Sequence, residues 1–369
     1  MINFESRLKS LKDRRQGVEV RSAFESLAKN QVAFDLRSKE AYENLSESAS
    51  IKYTIGAMAP VDKESTQISI NEGIRVANSL IKSLATKNIE VISRLQGSVA
   101  LDIHIKGHSD VDMLIIKKGI VQVEYPKIKP DGYSSSKDTR LMVDIIKEIR
   151  LKAEIILPIN FPQATIDCKG NKSITMEGGS LKRKVDIVPA SWYDTREYQS
   201  SQDESDRGIK IYHKADHKLI KNFPFKHIQL INNRDIKYSG NLKMVIRLMK
   251  NMIADMPDYK KSVAKQLSSY DLASIAYHMD KELYLSYDMR LGLVEKTRKH
   301  LNNLLNNKSL RDTINVPDGS RKIFDIEEKV KSLEILEKEF EDLALTIFRD
   351  LKPFMGSYNS SVILSKRVA

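Results

Sequence analysis

Apolar and polar positions change period several times along the chain, and each change marks an element. Residues 1–58 alternate charged and apolar side chains at helical spacing, with Lys39 to Met58 reading as one helix that ends at Pro60. From Glu64 the pattern sharpens into Ile70, Ile74, Ala77, Ile81 and Leu84, one apolar stripe of a long helix. That helix runs into a short apolar stretch, Val91 to Leu95, closed by Gly97-Ser98; about a dozen residues later a second apolar stretch runs from Met113 to Ile116. Lys117 to Tyr133, with Pro126, Pro130 and Gly132, reads as a loop or insertion. Leu141, Ile145 and Ile149 then mark a helix ending near Lys152, with Ser135 and Asp138 suited to cap it. Ala164 to Cys168 and Ser173 to Glu177 flank Lys169-Gly170-Asn171-Lys172 as a hairpin, whose second arm leads to an apolar stretch around Asp186. Ser200 to Arg207 is polar and reads as a mobile loop.

Beyond Pro224 the signals turn helical. Leu242, Val245, Leu248 and Met252 share one face of a helix, and Lys243, Arg247 and Lys250 lie on another. Further helices are expected at about 262–280, 285–307 and 323–350, with Pro317-Asp318-Gly319-Ser320 as a turn between the last two and a tail over the last dozen residues. The pattern as a whole predicts an α+β chain: a mixed, mostly antiparallel sheet carrying Asp110, Asp112 and Asp186 on one edge, with helices behind it, then a helical lobe.

Three acids change the picture. Asp110 and Asp112 open the second strand, and side chains at i and i+2 point to the same side of a strand. Two crowded carboxylates repel unless a cation sits between them, and hard oxygen ligands suit Mg²⁺. An isolated Asp-x-Asp is an ordinary strand entrance. Asp186, however, sits inside another apolar run, where an acid is costly without a partner, and a neighbouring strand would set it against the other two. Gly97 permits close backbone approach and Ser98 adds a hydroxyl, both suited to a phosphate. Metal acids beside a phosphate turn point to nucleotide chemistry.

The net charge of +12 favours polyanionic partners, nucleotide or nucleic acid. The single cysteine, Cys168, leaves no intrachain disulfide and fits a reducing compartment. No apolar run of membrane-spanning length occurs, so a cytoplasmic protein without a membrane partner is expected. His213 and His217 lie on a strand and turn rather than a helix, so their spacing does not converge on a metal, and His104 and His108 of the connector carry no assigned role.

In order, the Gly-Ser turn, Asp-x-Asp and a separate Asp followed by Ile-Val-Pro-Ala resemble the polymerase-β-like nucleotidyltransferases, specifically cyclic GMP–AMP synthase and its bacterial relatives, the CD-NTases. The resemblance covers roughly residues 60–285 and includes Gly208-Ile209-Lys210-Ile211-Tyr212, Asn222-Phe223-Pro224 with His227-Ile228, Arg247 to Asn251, and Ser268-Ser269-Tyr270. It implies a nucleotidyltransferase core fused to a C-terminal helical lobe, bilobed, with the active site in the cleft. Expected boundaries are an N-terminal helical segment over 1–60, a catalytic core over 61–222, a helical lobe over 223–352 and a tail over 353–369. It further implies two Mg²⁺ ions, or Mn²⁺ in their place, on Asp110, Asp112 and Asp186. Gly97 and Ser98 would hold phosphates, Lys250 and Ser269 would add contacts, and Tyr270 would stack on a base. The implied activity is synthesis of a cyclic di- or trinucleotide messenger from nucleoside triphosphates in antiphage defence, with an RNA activator or a regulatory protein partner as candidate switches. The alternatives are a template-independent transferase acting on RNA or protein, and an inert nucleic-acid-binding scaffold; the intact acid set argues against the latter. The zinc-binding His/Cys insertion of the animal synthase has no counterpart here.

Overall fold

The computed structural model describes residues 2–16, 39–107 and 109–368. The part of the N-terminal helical reading that covers 17–38, together with His108 and Ala369, lies outside the described residues. The chain divides into two compact units: one holds residues 62–102 and 109–232, the other residues 1–61, 103–108 and 233–369. Among the described residues no helix is long and apolar enough to cross a membrane.

The first unit is built on seven strands: β1 (Val91–Gln96), β2 (Val111–Val123), β3 (Thr165–Asp167), β4 (Ile174–Glu177), β5 (Val185–Asp194), β6 (Gly208–His213) and β7 (Lys218–Asn222). They run in the order β1-β2-β5-β4-β3, with β6 joining β5 and β7 joining β6. Only β2 and β5 pair in parallel; every other pairing is antiparallel. Helices Lys63–Ala85 and Met142–Asn160 pack on one face, where Val76, Leu80, Leu84, Ile146, Ile149 and Leu157 meet Val111, Met113, Ile115, Val185 and Ile187. The alternate side chains of the same strands, Leu114, Ile116, Val188, Ala190 and Trp192, form a smaller cluster on the opposite face with Ile209 and Ile211. Period-two alternation thus splits each central strand between two cores.

Several expectations need correction. The long helix buries Gly73, Val76, Ala77, Leu80 and Leu84, while Ile74 is 43% exposed, so the stripe is rotated from the one its isoleucines outline. The cause is Gly73, where a Cβ would stand 2.6 Å from Val111 Cγ1; its small size lets helix and sheet close up, which a count of apolar residues does not register. Residues 117–123 are not a loop but the continuation of β2, carried past a register shift at Ile116/Val121 that includes Gly119 at φ +82°. The helix expected to end near Lys152 runs to Asn160, because Ala153, Ile156 and Leu157 go into the core, and Leu141 rather than Ser135 or Asp138 stands at its cap. Ser200 to Arg207 is a short helix and a 3₁₀ turn, tied down by Thr195 Oγ1 donating to the Asp206 carbonyl (2.6 Å) and by Arg94 on Glu204 (2.7 Å).

The second unit is helical. Leu242, Val245, Leu248 and Met252 of helix Asn241–Ala254 are fully buried, as their spacing requires. The basic face of that helix is not solvated: Arg247 is buried and donates to the Met58 carbonyl (2.8 Å), and Lys250 is 8% exposed. The 39–58 segment is a 3₁₀ turn (Ala41–Asn44) and a separate helix (Ala49–Met58), with Ser48 in extended backbone at the helix start. The expected 262–280 helix is two, Asp258–Ala264 and Ser269–Tyr277, and the 285–307 helix begins as 3₁₀ over Tyr287–Gly292 before Leu293–Asn306. The C-terminal residues are not a loose tail. Ile363 and Val368 are buried, Val368 N–H donates to the Asp288 carbonyl (2.8 Å), and Arg290 donates to the Val368 carbonyl (3.0 Å).

Candidate active site

The acids lie not along an edge of the sheet but at the start of its two interior strands. Parallel pairing of β2 with β5 places Asp112 level with Asp186, and antiparallel pairing of β1 with β2 places Gln96 level with Asp112. One row across three strands therefore reads Gln96, Asp112, Asp186. One step earlier, Val111 pairs with Val185 and its N–H donates to the Lys184 carbonyl (3.0 Å), so Asp110 stands opposite Lys184. Asp112 and Asp186 alternate with Val111, Met113, Val185 and Ile187 along their strands, so they face away from the two packing helices. Bringing parallel neighbours together demands a crossover, here the helix Met142–Asn160 and the β3–β4 hairpin.

Each carboxylate has definite company. Asp110 pairs with the Lys184 ammonium at 3.3 Å. Asp186 accepts from Thr175 Oγ1 on Oδ1 (2.7 Å) and from Ser173 Oγ on Oδ2 (3.2 Å), both hydroxyls supplied by β4 and its approach. Burial raises the Asp186 pKa and the Asp110 charge adds to it, against the two hydroxyl bonds. Burial would lower the pKa of the Lys184 ammonium, but Asp110 outweighs it and holds it above its ordinary value. Gly97 begins the short helix Gly97–Ala100 at φ +75°, and a Cβ there would stand 2.1 Å from Asp112 Oδ2. The Gly-Ser turn is thus pressed against the second acid, with Ser98 9% exposed beside it. Three carboxylates with only hard oxygen donors fit a divalent cation of the Mg²⁺ or Mn²⁺ kind. Among the described residues no three His, Cys, Asp or Glu side chains stand at metal-ligand spacing, and Lys184 and Thr175 pair with Asp110 and Asp186.

Gly97, Ser98, Asp110, Asp112 and Asp186 are all gathered in the sheet unit. Lys250, Ser269 and Tyr270 belong to the helical unit. Ser269 opens its helix behind a capping box formed by Ser268 and Asp271. The Tyr270 hydroxyl donates to Asp318, the Arg321 guanidinium lies 5.8 Å from its ring, and burial raises the phenol pKa. The sequence reading missed Lys184, Ser173, Thr175 and Gln96. A signal existed for the lysine, because Lys184-Val185-Asp186 repeats the spacing of Asp110-Val111-Asp112.

Residues 230–341 match the family model of the cGAS/DncV-like nucleotidyltransferase C-terminal helical domain. The chain is 37% identical over 363 residues to the cyclic dinucleotide synthase CdnE of Yersinia aleksiciae, covering 94% of this chain and 93% of the relative. The chain belongs to the CD-NTase family. A c-di-GMP synthase of Flavobacteriaceae sp. genome_bin_11 is 30% identical over 271 residues, 67% of this chain and 72% of that one. The solved structure of a STING-associated CdnE c-di-GMP synthase from Capnocytophaga granulosa superposes with a TM-score of 0.69 at 28% identity, covering 94% of this chain and 99% of that one. A second such synthase, from Flavobacteriaceae sp., gives 0.73 at 24% identity with the same coverage. This CD-NTase is therefore a nucleotidyltransferase with the polymerase-β-like fold, of a class that works with divalent metal ions.

Proposed function

We propose that this CD-NTase condenses two nucleoside triphosphates into a cyclic dinucleotide at Asp110, Asp112 and Asp186. The observation that carries the reading is the register that sets Asp112 level with Asp186 while Gly97 rests against Asp112. A bound pair of divalent ions, Mg²⁺ or Mn²⁺, would supply activation of a ribose hydroxyl and charge neutralisation at the departing pyrophosphate. Asp110, Asp112 and Asp186 would hold them. Gly97 and Ser98 bind phosphate through backbone N–H groups and the hydroxyl, Lys250 and Ser269 add polar contacts, and Tyr270 stacks on a base, a contact typically worth ~1–3 kcal/mol. Three relatives are named c-di-GMP synthases, which makes GTP the first substrate to try and ATP the second. Their STING-associated structural counterparts support a role in defence signalling.

Purified protein incubated with labelled triphosphates and Mg²⁺, without acceptor, should give a phosphatase-resistant small product. Asp110→Asn with Asp112→Asn should abolish that product while leaving a cooperative melt. Product only after adding RNA or a protein acceptor would replace this reading with a terminal transferase, and inertness under all conditions would leave a binding scaffold. Duplex RNA and candidate regulatory proteins enter the same assay as activators, with RNA binding expected to weaken steeply with salt.

A further inference from the structure

The active-site face carries four side chains in two level pairs, Asp110 opposite Lys184 and Asp112 opposite Asp186. Three are carboxylates and the fourth is an ammonium. The Lys184 Nζ lies 3.3 Å from Asp110 Oδ2, and the residue stands two positions before Asp186, just ahead of β5. No backbone constraint forces a lysine here, since Lys184 immediately precedes β5 and its side chain is 40% exposed. Two exposed cations, Lys182 and Lys118, sit nearby in sequence or on the sheet without facing an acid of this set.

We propose that Lys184 is the built-in counter-cation of the acid set, and that a divalent ion must displace it from Asp110 to bind. The inference rests on the metal reading above and adds a component to it. Like charges on adjacent strands repel, and a flexible lysine offsets that repulsion in the metal-free protein at the cost of competing with the metal. The consequence is a site that binds a lone cation weakly. A metal that arrives with a triphosphate does better, because the phosphates offer the displaced ammonium a new negative partner.

The test is a Mn²⁺ titration of the full-length protein without nucleotide, followed by the electron paramagnetic resonance signal of free Mn²⁺. Lys184→Met should bind Mn²⁺ roughly 1.5- to fivefold more tightly than wild type, the range that a partly exposed ion pair is worth. Lys184→Arg should stay near wild type, and Lys182→Met, an equal change of net charge, should move affinity little. Without metal, Lys184→Met should melt below wild type, and saturating Mn²⁺ should remove the deficit. Equal affinities in wild type, Lys184→Met and Lys182→Met, with binding lost in Asp112→Asn, would overturn this proposal alone. Binding that Asp112→Asn leaves intact would overturn the metal assignment and the proposal with it.

Discussion

Replacing Gly97 by alanine separates two costs that the structure puts at one residue. The backbone sits at φ +75°, where an L side chain costs ~1–2 kcal/mol. The new Cβ would also lie 2.1 Å from Asp112 Oδ2, so the carboxylate or the turn must shift by more than an ångström to reach ordinary contact. Forcing a group into a packed site typically costs a further ~1–3 kcal/mol. Gly119 supplies the control, with φ +82° but nothing within 4 Å of its Cβ position. Gly119→Ala should therefore lose only the backbone component, a drop in melting temperature of roughly 2–8 °C at ~2–4 °C per kcal/mol. Gly97→Ala should lose about twice that. Its turnover should fall about a hundredfold, because displacing a catalytic group by ~1 Å is worth that much. Differential scanning calorimetry and the labelled-product assay, run on both variants beside wild type, give the comparison. If Gly97→Ala melts like Gly119→Ala and turns over like wild type, the Gly97–Asp112 contact does not shape the site and the assignment of the turn fails.

Tyr270→Phe removes the hydroxyl bond to Asp318 and should cost roughly 1–2 kcal/mol of stability, with Asp318→Asn costing a similar, non-additive amount. Only Tyr270→Ala removes the stacking ring, so nucleotide affinity in an equilibrium titration should drop for alanine and largely survive phenylalanine; equal losses would make Tyr270 a packing residue. His300 donates through Nε2 to the Ile275 carbonyl, and burial lowers its pKa to about 4 from the ordinary 6.5. A depressed histidine pKa means that the folded state binds fewer protons, so the contribution is whole above pH 6.5 and is lost as pH falls towards 4. Urea unfolding at pH 7 and pH 5 should show wild type losing about 2 kcal/mol more than His300→Gln over that interval, and parallel losses would place the imidazole in water.

The sequence by itself determined the broad order, a sheet with its helices followed by a helical lobe, and it singled out Gly97, Asp110, Asp112 and Asp186 as candidates. Those signals are local: a continuous apolar run from Met113 to Ile116, a turn residue before it, and acids where apolar side chains would otherwise stand. It also carried the buried face of helix Asn241–Ala254, because four apolar residues at helical spacing leave one way to pack. What it could not carry depends on which elements become neighbours. Gly73 is silent as a hydrophobic residue, yet it rotates the long helix because Val111 lies beneath it. Lys243, Arg247 and Lys250 read only as one basic helix face, and packing alone shows that Arg247 and Lys250 are buried. Lys184, Ser173 and Thr175 sit on other strands from the residues they hold, and only the parallel register of β2 and β5 with β4 alongside brings them to Asp110 and Asp186. Composition and spacing record what a residue is; the partner of a charge is set by strand order, and strand order exists only in the folded sheet.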